Sequence, residues 1–149
     1  MFVNEDEPSL TAIQWFNKGY DYDIKEDYDN AIFAYTKAIE LNSQDADAYT
    51  NRGAVYDTKG EYDLAIIDYT KAIELNPQDA DVYANRGNAY LNKNQYDLAI
   101  SDYDKTIELD PHAVDVYINK VFACEKSGNY TGSQIEVIKQ KIQELGDHI

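Results

Sequence analysis

The chain has one cysteine, one methionine, one tryptophan and three prolines, and 28 aspartates and glutamates outnumber its 13 lysines and arginines. Each shortage excludes something. With Cys124 alone no intramolecular disulfide framework can form, and the cysteine usage does not call for an oxidising compartment. The acid excess leaves a formal charge of −15, which repels nucleic acid and anionic lipid at long range and favours a neutral to basic partner. No stretch approaches the roughly 18–20 apolar residues of a membrane span, so direct membrane insertion is not expected. The opening MFVNEDEPSL is acidic and lacks the basic flank and apolar run of a secretory signal; a cytoplasmic protein is expected.

Catalytic and metal-binding patterns are also missing. His112, in a turn beside Pro111, and His148, in the tail, fit no metal-ligand spacing. The acidic run DYDIKEDYD (Asp21 to Asp29) lacks the glycine and terminal glutamate of a helix–loop–helix calcium site. No glycine-rich phosphate loop follows a strand, and no strand is predicted. Cys124 stands where the surrounding pattern wants a core aromatic, which reads as an inert buried thiol. No catalytic residue, metal site or cofactor is expected.

What the chain does have is tyrosine, 14 against four phenylalanines, and a period. YDLAI occurs at Tyr62 to Ile66 and again 34 residues later at Tyr96 to Ile100, with a looser YDNAI at Tyr28 to Ile32. Followed outward, the period divides the chain into an extension, 1–11, and four units, 12–45, 46–79, 80–113 and 114–147. The tyrosines fall at fixed phases of it: Tyr49, Tyr83 and Tyr117; Tyr22, Tyr56 and Tyr90; Tyr28, Tyr62, Tyr96 and Tyr130; Tyr35, Tyr69 and Tyr103. Only Tyr20 lies outside them. Recurrent aromatics at fixed phase read as core, and Tyr62 and Tyr96 are expected to be largely buried.

Each unit reads as two helices. Tyr49, Gly53 and Tyr56 share one helical face, as do Tyr62, Ala65, Tyr69, Ala72 and Ile73. Gly53 and Gly87 are expected to let a neighbouring backbone approach. Gly60, Asn94 and Gly128 tolerate the left-handed conformation that ends a helix, whereas Glu26 at that phase predicts a strained or differently shaped turn. Pro77 and Pro111 stop the second helices, and Asp45, Asp79 and the Thr11–Gln14 box are candidate N-caps. The last helix carries one apolar stripe, Ile135, Ile138, Ile142 and Leu145, as a cap would, with Gly146 as its C-cap.

This pattern of paired helices, aromatic–Gly–aromatic, then aromatic–Ala–aromatic–Ala, then Pro, resembles the tetratricopeptide repeat, closely over 12–113 and partially over 114–145. The resemblance implies an all-α, right-handed α-solenoid of helix–turn–helix repeats, three units plus a divergent fourth, with first helices lining a concave groove. It also implies a non-enzymatic protein- or peptide-binding scaffold. A self-assembling solenoid that forms homo-oligomers or a coat stands as the alternative. The clamp by which members of this family hold the acidic tail of heat-shock chaperones is not matched: Phe16, Tyr20, Asp81 and Asn85 stand at its positions.

Groove candidates by phase are Phe16, Asn17, Tyr20, Asp47, Thr50, Asn51, Ala54, Asp81, Asn85, Asn88, Asn119 and Phe122, with Asp23, Asp57, Asp115 and Glu125 adding negative charge. Asn17, Asn51, Asn85 and Asn119 recur at one phase in all four units. Such a row resembles the asparagine ladder of O-linked N-acetylglucosamine transferases, where it grips a peptide backbone; repeat duplication with a helix–helix contact explains the row equally well. The next residue is always basic, Lys18, Arg52, Arg86 or Lys120. On the second helices Asp68, Asp102 and Glu136 stand where they could pair with the last three.

Overall fold

The computed structural model describes residues 9–146. These residues form eight helices and no strand: α1 (Ala12–Ile24), α2 (Tyr28–Leu41), α3 (Ala46–Thr58), α4 (Tyr62–Leu75), α5 (Ala80–Asn92), α6 (Tyr96–Leu109), α7 (Val114–Ser127) and α8 (Gly132–Gly146). His148 and most of the N-terminal extension lie outside the described residues. Helices follow one another as neighbours in space, each packing on the next, which makes an all-α solenoid.

Local sequence sets the helix ends. Thr11 and Gln14 close a reciprocal capping box at the start of α1. Asp45 accepts the Asp47 and Ala48 amides at the start of α3, and Asp79 accepts the Asp81 amide at the start of α5. Between the two helices of each of the first three pairs the backbone closes identically: the amides of Asp27, Glu61 and Gln95 donate to the carbonyls of Tyr22, Tyr56 and Tyr90 at 2.8–2.9 Å. That closure demands a left-handed residue, supplied by Glu26 (φ 59°), Gly60 (76°) and Asn94 (58°). The Glu26 turn therefore has the shape of its counterparts, at the roughly 1–2 kcal/mol that a side chain costs there.

The core corrects two expectations. What approaches the helical glycines most closely is a ring: a β-carbon at Gly19, Gly53 or Gly87 would stand 2.6, 2.9 or 2.7 Å from the ring of Tyr35, Tyr69 or Tyr103, and at Gly87 the Ala99 carbonyl oxygen stands 3.4 Å away as well. Those three tyrosines are fully buried, while Tyr62 and Tyr96 are only half-buried. Both phases lie on the second helix, but only the Tyr69 phase points between its own first helix and the first helix of the following pair. In the last pair Val121 and Val137 stand at the Gly and Tyr phases, and Val137 is exposed. Ile135 and Ile138 pack on the buried Cys124 cluster, and Ile142 and Leu145 are half-buried.

Truncation of a buried aromatic costs about 3–5 kcal/mol. Urea melts should therefore show Tyr69→Ala losing that much, and Tyr62→Ala distinctly less. Gly53→Ala should cost about 1–3 kcal/mol through overpacking against the Tyr69 ring. Equal losses at Tyr62 and Tyr69 would contradict this packing.

Candidate functional site: the inner helix layer

The first helices touch one another, α1 with α3, α3 with α5 and α5 with α7, whereas among the described residues α2, α4, α6 and α8 make no such contacts. A layer whose members touch while the other layer splays apart is the inside of a curve. The inner layer is therefore α1, α3, α5 and α7.

On each inner helix one face is consumed by packing. In α3, Ala48 and Val55 are buried against α2, and Gly53 receives Tyr69. Arg52 is bound into the scaffold: its Nε and Nη2 donate to Asp68 at 2.8 and 2.7 Å, and its Nη1 donates to Thr36 Oγ1 at 3.0 Å. Its guanidinium lies between the rings of Tyr49 and Tyr56, 5.8 and 5.9 Å from their centroids. Arg86 repeats this with Asp102, Thr70, Tyr83 and Tyr90. Lys120 departs from expectation and pairs at 2.6 Å with Asp104, not Glu136. Asp104 occupies the phase of Thr36 and Thr70, and a lysine lacks the fork that lets arginine reach both positions. Lys18 sits over the Trp15 ring.

The remaining face carries the groove candidates. On α1, Phe16 is half-buried and packs edge-on against Tyr35 with centroids 5.6 Å apart, Asn17 is exposed, and Tyr20 is 54% exposed. On α3, Asp47 is exposed, while Thr50, Asn51 and Ala54 are half-buried; the Thr50 hydroxyl turns back onto the Ala46 carbonyl at 3.0 Å. On α5, Asp81 is exposed and Asn85 and Asn88 are half-buried; on α7, Asn119 is half-buried and Phe122 is 47% exposed. The four asparagines are not equivalent. Asn119 donates to Asn88 Oδ1 at 3.1 Å, and the same oxygen accepts the Tyr103 hydroxyl at 2.7 Å. Asn51 and Asn85 make no side-chain hydrogen bond among the described residues.

Sequence reasoning took the Tyr35, Tyr69 and Tyr103 phase as core and missed its phenols, which reach the edge of the inner face. The signal was there: three tyrosines and no phenylalanine at one buried phase, so three hydroxyls needing partners. Tyr103 finds Asn88. Tyr35 Oη, beside Tyr20, Asp23 and Asn51, is buried with no hydrogen-bond partner among the described residues, the Asn51 amide standing close but out of bonding geometry. Asp57, close to Tyr69, has its Oδ1 buried and likewise unpartnered. Burial holds the Asp23 and Asp57 carboxyls above the usual carboxylate range. It also raises the phenols of Tyr35, Tyr69 and Tyr103, with neighbouring aspartates adding to the shift. Burial pushes the Cys124 thiol up as well, which keeps it unreactive.

The chain matches the model described as tetratricopeptide repeat at residues 46–79 and 80–113, and a second, described as TPR repeat, at residues 19–60. The chain belongs to the tetratricopeptide repeat family. No curated protein matches it in sequence. Among solved structures, MamA is 26% identical, with a TM-score of 0.87 over 92% of this chain and 79% of that one. The first tetratricopeptide domain of Spaghetti (RPAP3), solved bound to the HSP90 peptide SRMEEVD, is 25% identical, with a TM-score of 0.77 over 85% and 100%. The Arabidopsis OM64 domain, 24% identical with a TM-score of 0.74 over 77% and 95%, shares the fold.

Two pH effects follow. Unfolded phenols ionise near pH 10, whereas the three buried ones hold their protons to higher pH. Above about pH 10 the folded state therefore binds more protons, and stability should fall as pH rises through that point while staying level from pH 7 to 9. Urea midpoints across this range check it. Asp23 and Asp57 likewise bind protons more tightly folded than unfolded, so at neutral pH their charge detracts from stability. Asp57→Asn should raise the melting temperature at pH 7, with the gain vanishing as pH falls below the raised carboxyl range.

Proposed function

We propose that this repeat array is a non-enzymatic protein–protein interaction scaffold that holds an extended partner segment along α1, α3, α5 and α7. The observation that carries the reading is the pair of half-buried amides, Asn51 and Asn85, on the inner layer with no side-chain hydrogen bond among the described residues. An interior helix position is a poor place for asparagine unless its amide has work elsewhere. An extended backbone offers donors and acceptors at regular intervals, and each amide offers two donors and an acceptor in return. The likeness to a tetratricopeptide domain solved with a peptide supports the same mode. The sign of the ligand differs: that peptide, SRMEEVD, is acidic, whereas this inner face carries Asp23, Asp47, Asp57, Asp81 and Asp115. A neutral to basic segment fits it.

Self-assembly by end-to-end stacking is less well supported. Where α3, α5 and α7 bury Ala or Val against the preceding helix, α1 has Gln14 and Asp21, both exposed. On the outward face of α8, Ser133, Glu136 and Gln140 surround the lone exposed Val137. Light scattering should give a concentration-independent mass.

A library of capped, extended nonapeptides screened by fluorescence polarisation tests the groove. For the best binder, Asn51→Ala with Asn85→Ala should cost about 1–3 kcal/mol, or about 5- to 150-fold, at an unchanged melting temperature. Methylating the peptide's amides should cost more than shuffling its side chains. A lowered melting temperature with unaltered affinity would assign both asparagines to the scaffold instead.

A further inference from the structure

Around each buried phenol the repeat builds the same neighbourhood from three phases of the inner helices, and the three versions differ in one telling way. At Tyr103 the neighbours are Asn88, Leu91 and Asn119, and the set is closed: Asn88 accepts from both the phenol and Asn119. At Tyr69 the same phases hold Ala54, Asp57 and Asn85; at Tyr35 they hold Tyr20, Asp23 and Asn51. The two earlier sets replace the leucine by an aspartate and lack the bridging asparagine. They are left with polar atoms that no hydrogen bond reaches among the described residues, namely Asp57 Oδ1 and the hydroxyl of the fully buried Tyr35.

Among the described residues no lysine or arginine pairs with Asp23 or Asp57. The inner-face phases of α1, α3 and α5 contain no lysine or arginine. Arg52 and Arg86 are locked to Asp68 and Asp102, Lys59 and Lys93 tie the inter-helix turns to Asp29 and Asp63, and Lys120 is held by Asp104. Half-buried carboxylates with unmet oxygens and no counter-charge are costly to keep. The cost is removed by a ligand that brings both charge and donors.

We propose that the inner face carries two successive cation subsites, one formed by Asp23 with the Tyr35 oxygen and the Tyr20 ring, the other by Asp57 beside Tyr69, which receive two basic side chains of the partner segment. The proposal rests on the groove reading above and deepens it. An ammonium or guanidinium group has donors only, matching the carboxylate oxygens of Asp23 and Asp57 and the lone pairs of the Tyr35 hydroxyl, and Tyr20 adds an aromatic face for the cation at the first subsite. The third position, closed by Asn88 and carrying Leu91 for aspartate, takes no cation. Equivalent points on neighbouring packed helices are about 8–10 Å apart. An extended segment in the three-fold polyproline II form advances about 3.1 Å per residue and returns to the same face every third position, so the two basic residues stand about three positions apart.

Capped alanine–serine nonapeptides provide the probe: one without charge, one with a single lysine, one with two lysines three positions apart, and one with two glutamates so spaced. Titration calorimetry should give roughly a tenfold gain for each lysine, the scale of one charge-assisted hydrogen bond, shrinking as salt rises. Asp57→Asn and Asp23→Asn should each remove one lysine's gain, read within each variant as the ratio of lysine-peptide to uncharged-peptide affinity; their thermal melts guard against loss of fold. Lysine gains that survive in both variants, or a glutamate peptide bound as tightly as the lysine peptide, overturn the proposal. Binding of the uncharged peptide that depends on Asn51 and Asn85, with no lysine gain, overturns the cation subsites alone. Failure of all four peptides to bind overturns the groove reading with them.

Discussion

The seating of a tyrosine ring on a glycine is the contact on which this solenoid depends. At Gly19, Gly53 and Gly87 the ring of the following helix lies closer than any β-carbon would permit. The two helices of a pair are thereby drawn together to a spacing that another residue pair would not allow. The ring fills the space that the next pair must close, so it serves two interfaces at once, which is why Tyr35, Tyr69 and Tyr103 are the largest side chains buried outright. Because the ring is a tyrosine, its hydroxyl is carried through the core to the inner face. Packing and the chemistry of the groove meet in one residue.

Around that contact the polar groups are sorted by function. Arg52 and Arg86 each span three helices, bonding the second helix of their own pair and a threonine of the preceding one while lying between two tyrosine rings. Each guanidinium has three of its donors bound inside the scaffold, so the two fix register between pairs. At the turn edge a second row of ties, Lys59 to Asp29, Lys93 to Asp63 and Asn129 to Asp97, repeats along the array. Exposed pairs of this kind contribute little individually. Their effect here is to occupy the bases, leaving the acids of the inner face uncompensated.

The helices, their pairing and the family were legible because period and phase survive in the amino-acid sequence without reference to space. What was not legible depends on how one pair sits on the next. Tyr62 and Tyr69 share a helix and each recurs at its own fixed phase, and only the placement of α5 decides that the second is buried and the first is not. Of the two outcomes open at Glu26 the turn takes the strained one: backbone closure onto Tyr22 keeps the shape of its counterparts and overrides the residue's own preference. Lys120 misled because phase ignores side-chain shape: Glu136 was in register, but Asp104 was in reach. For the groove, the asparagine phase was visible and its division was not, since the pairing of Asn119 with Asn88 needs both the preceding helix and the missing aspartate at Leu91.

That division also gives the groove a direction. A perfect repeat would present the same face at every step, and a ligand could slide by one unit with little change in energy, as a strand slips in a weakly specified register. Here the steps differ: polar atoms unpartnered among the described residues at Tyr35 and beside Tyr69, a closed network at Tyr103, and largely apolar side chains at both ends, Ile13 and Tyr20 on α1 and Ile118 and Phe122 on α7. Sliding by one unit would carry a basic side chain from Asp57 to Leu91, from a carboxylate to an aliphatic wall. A charge without a counter-charge at a partly desolvated site is penalised by far more than a lost neutral hydrogen bond. The substitutions that spoil the repeat are therefore the ones that set a register for whatever lies along it, and identical units alone could not supply one.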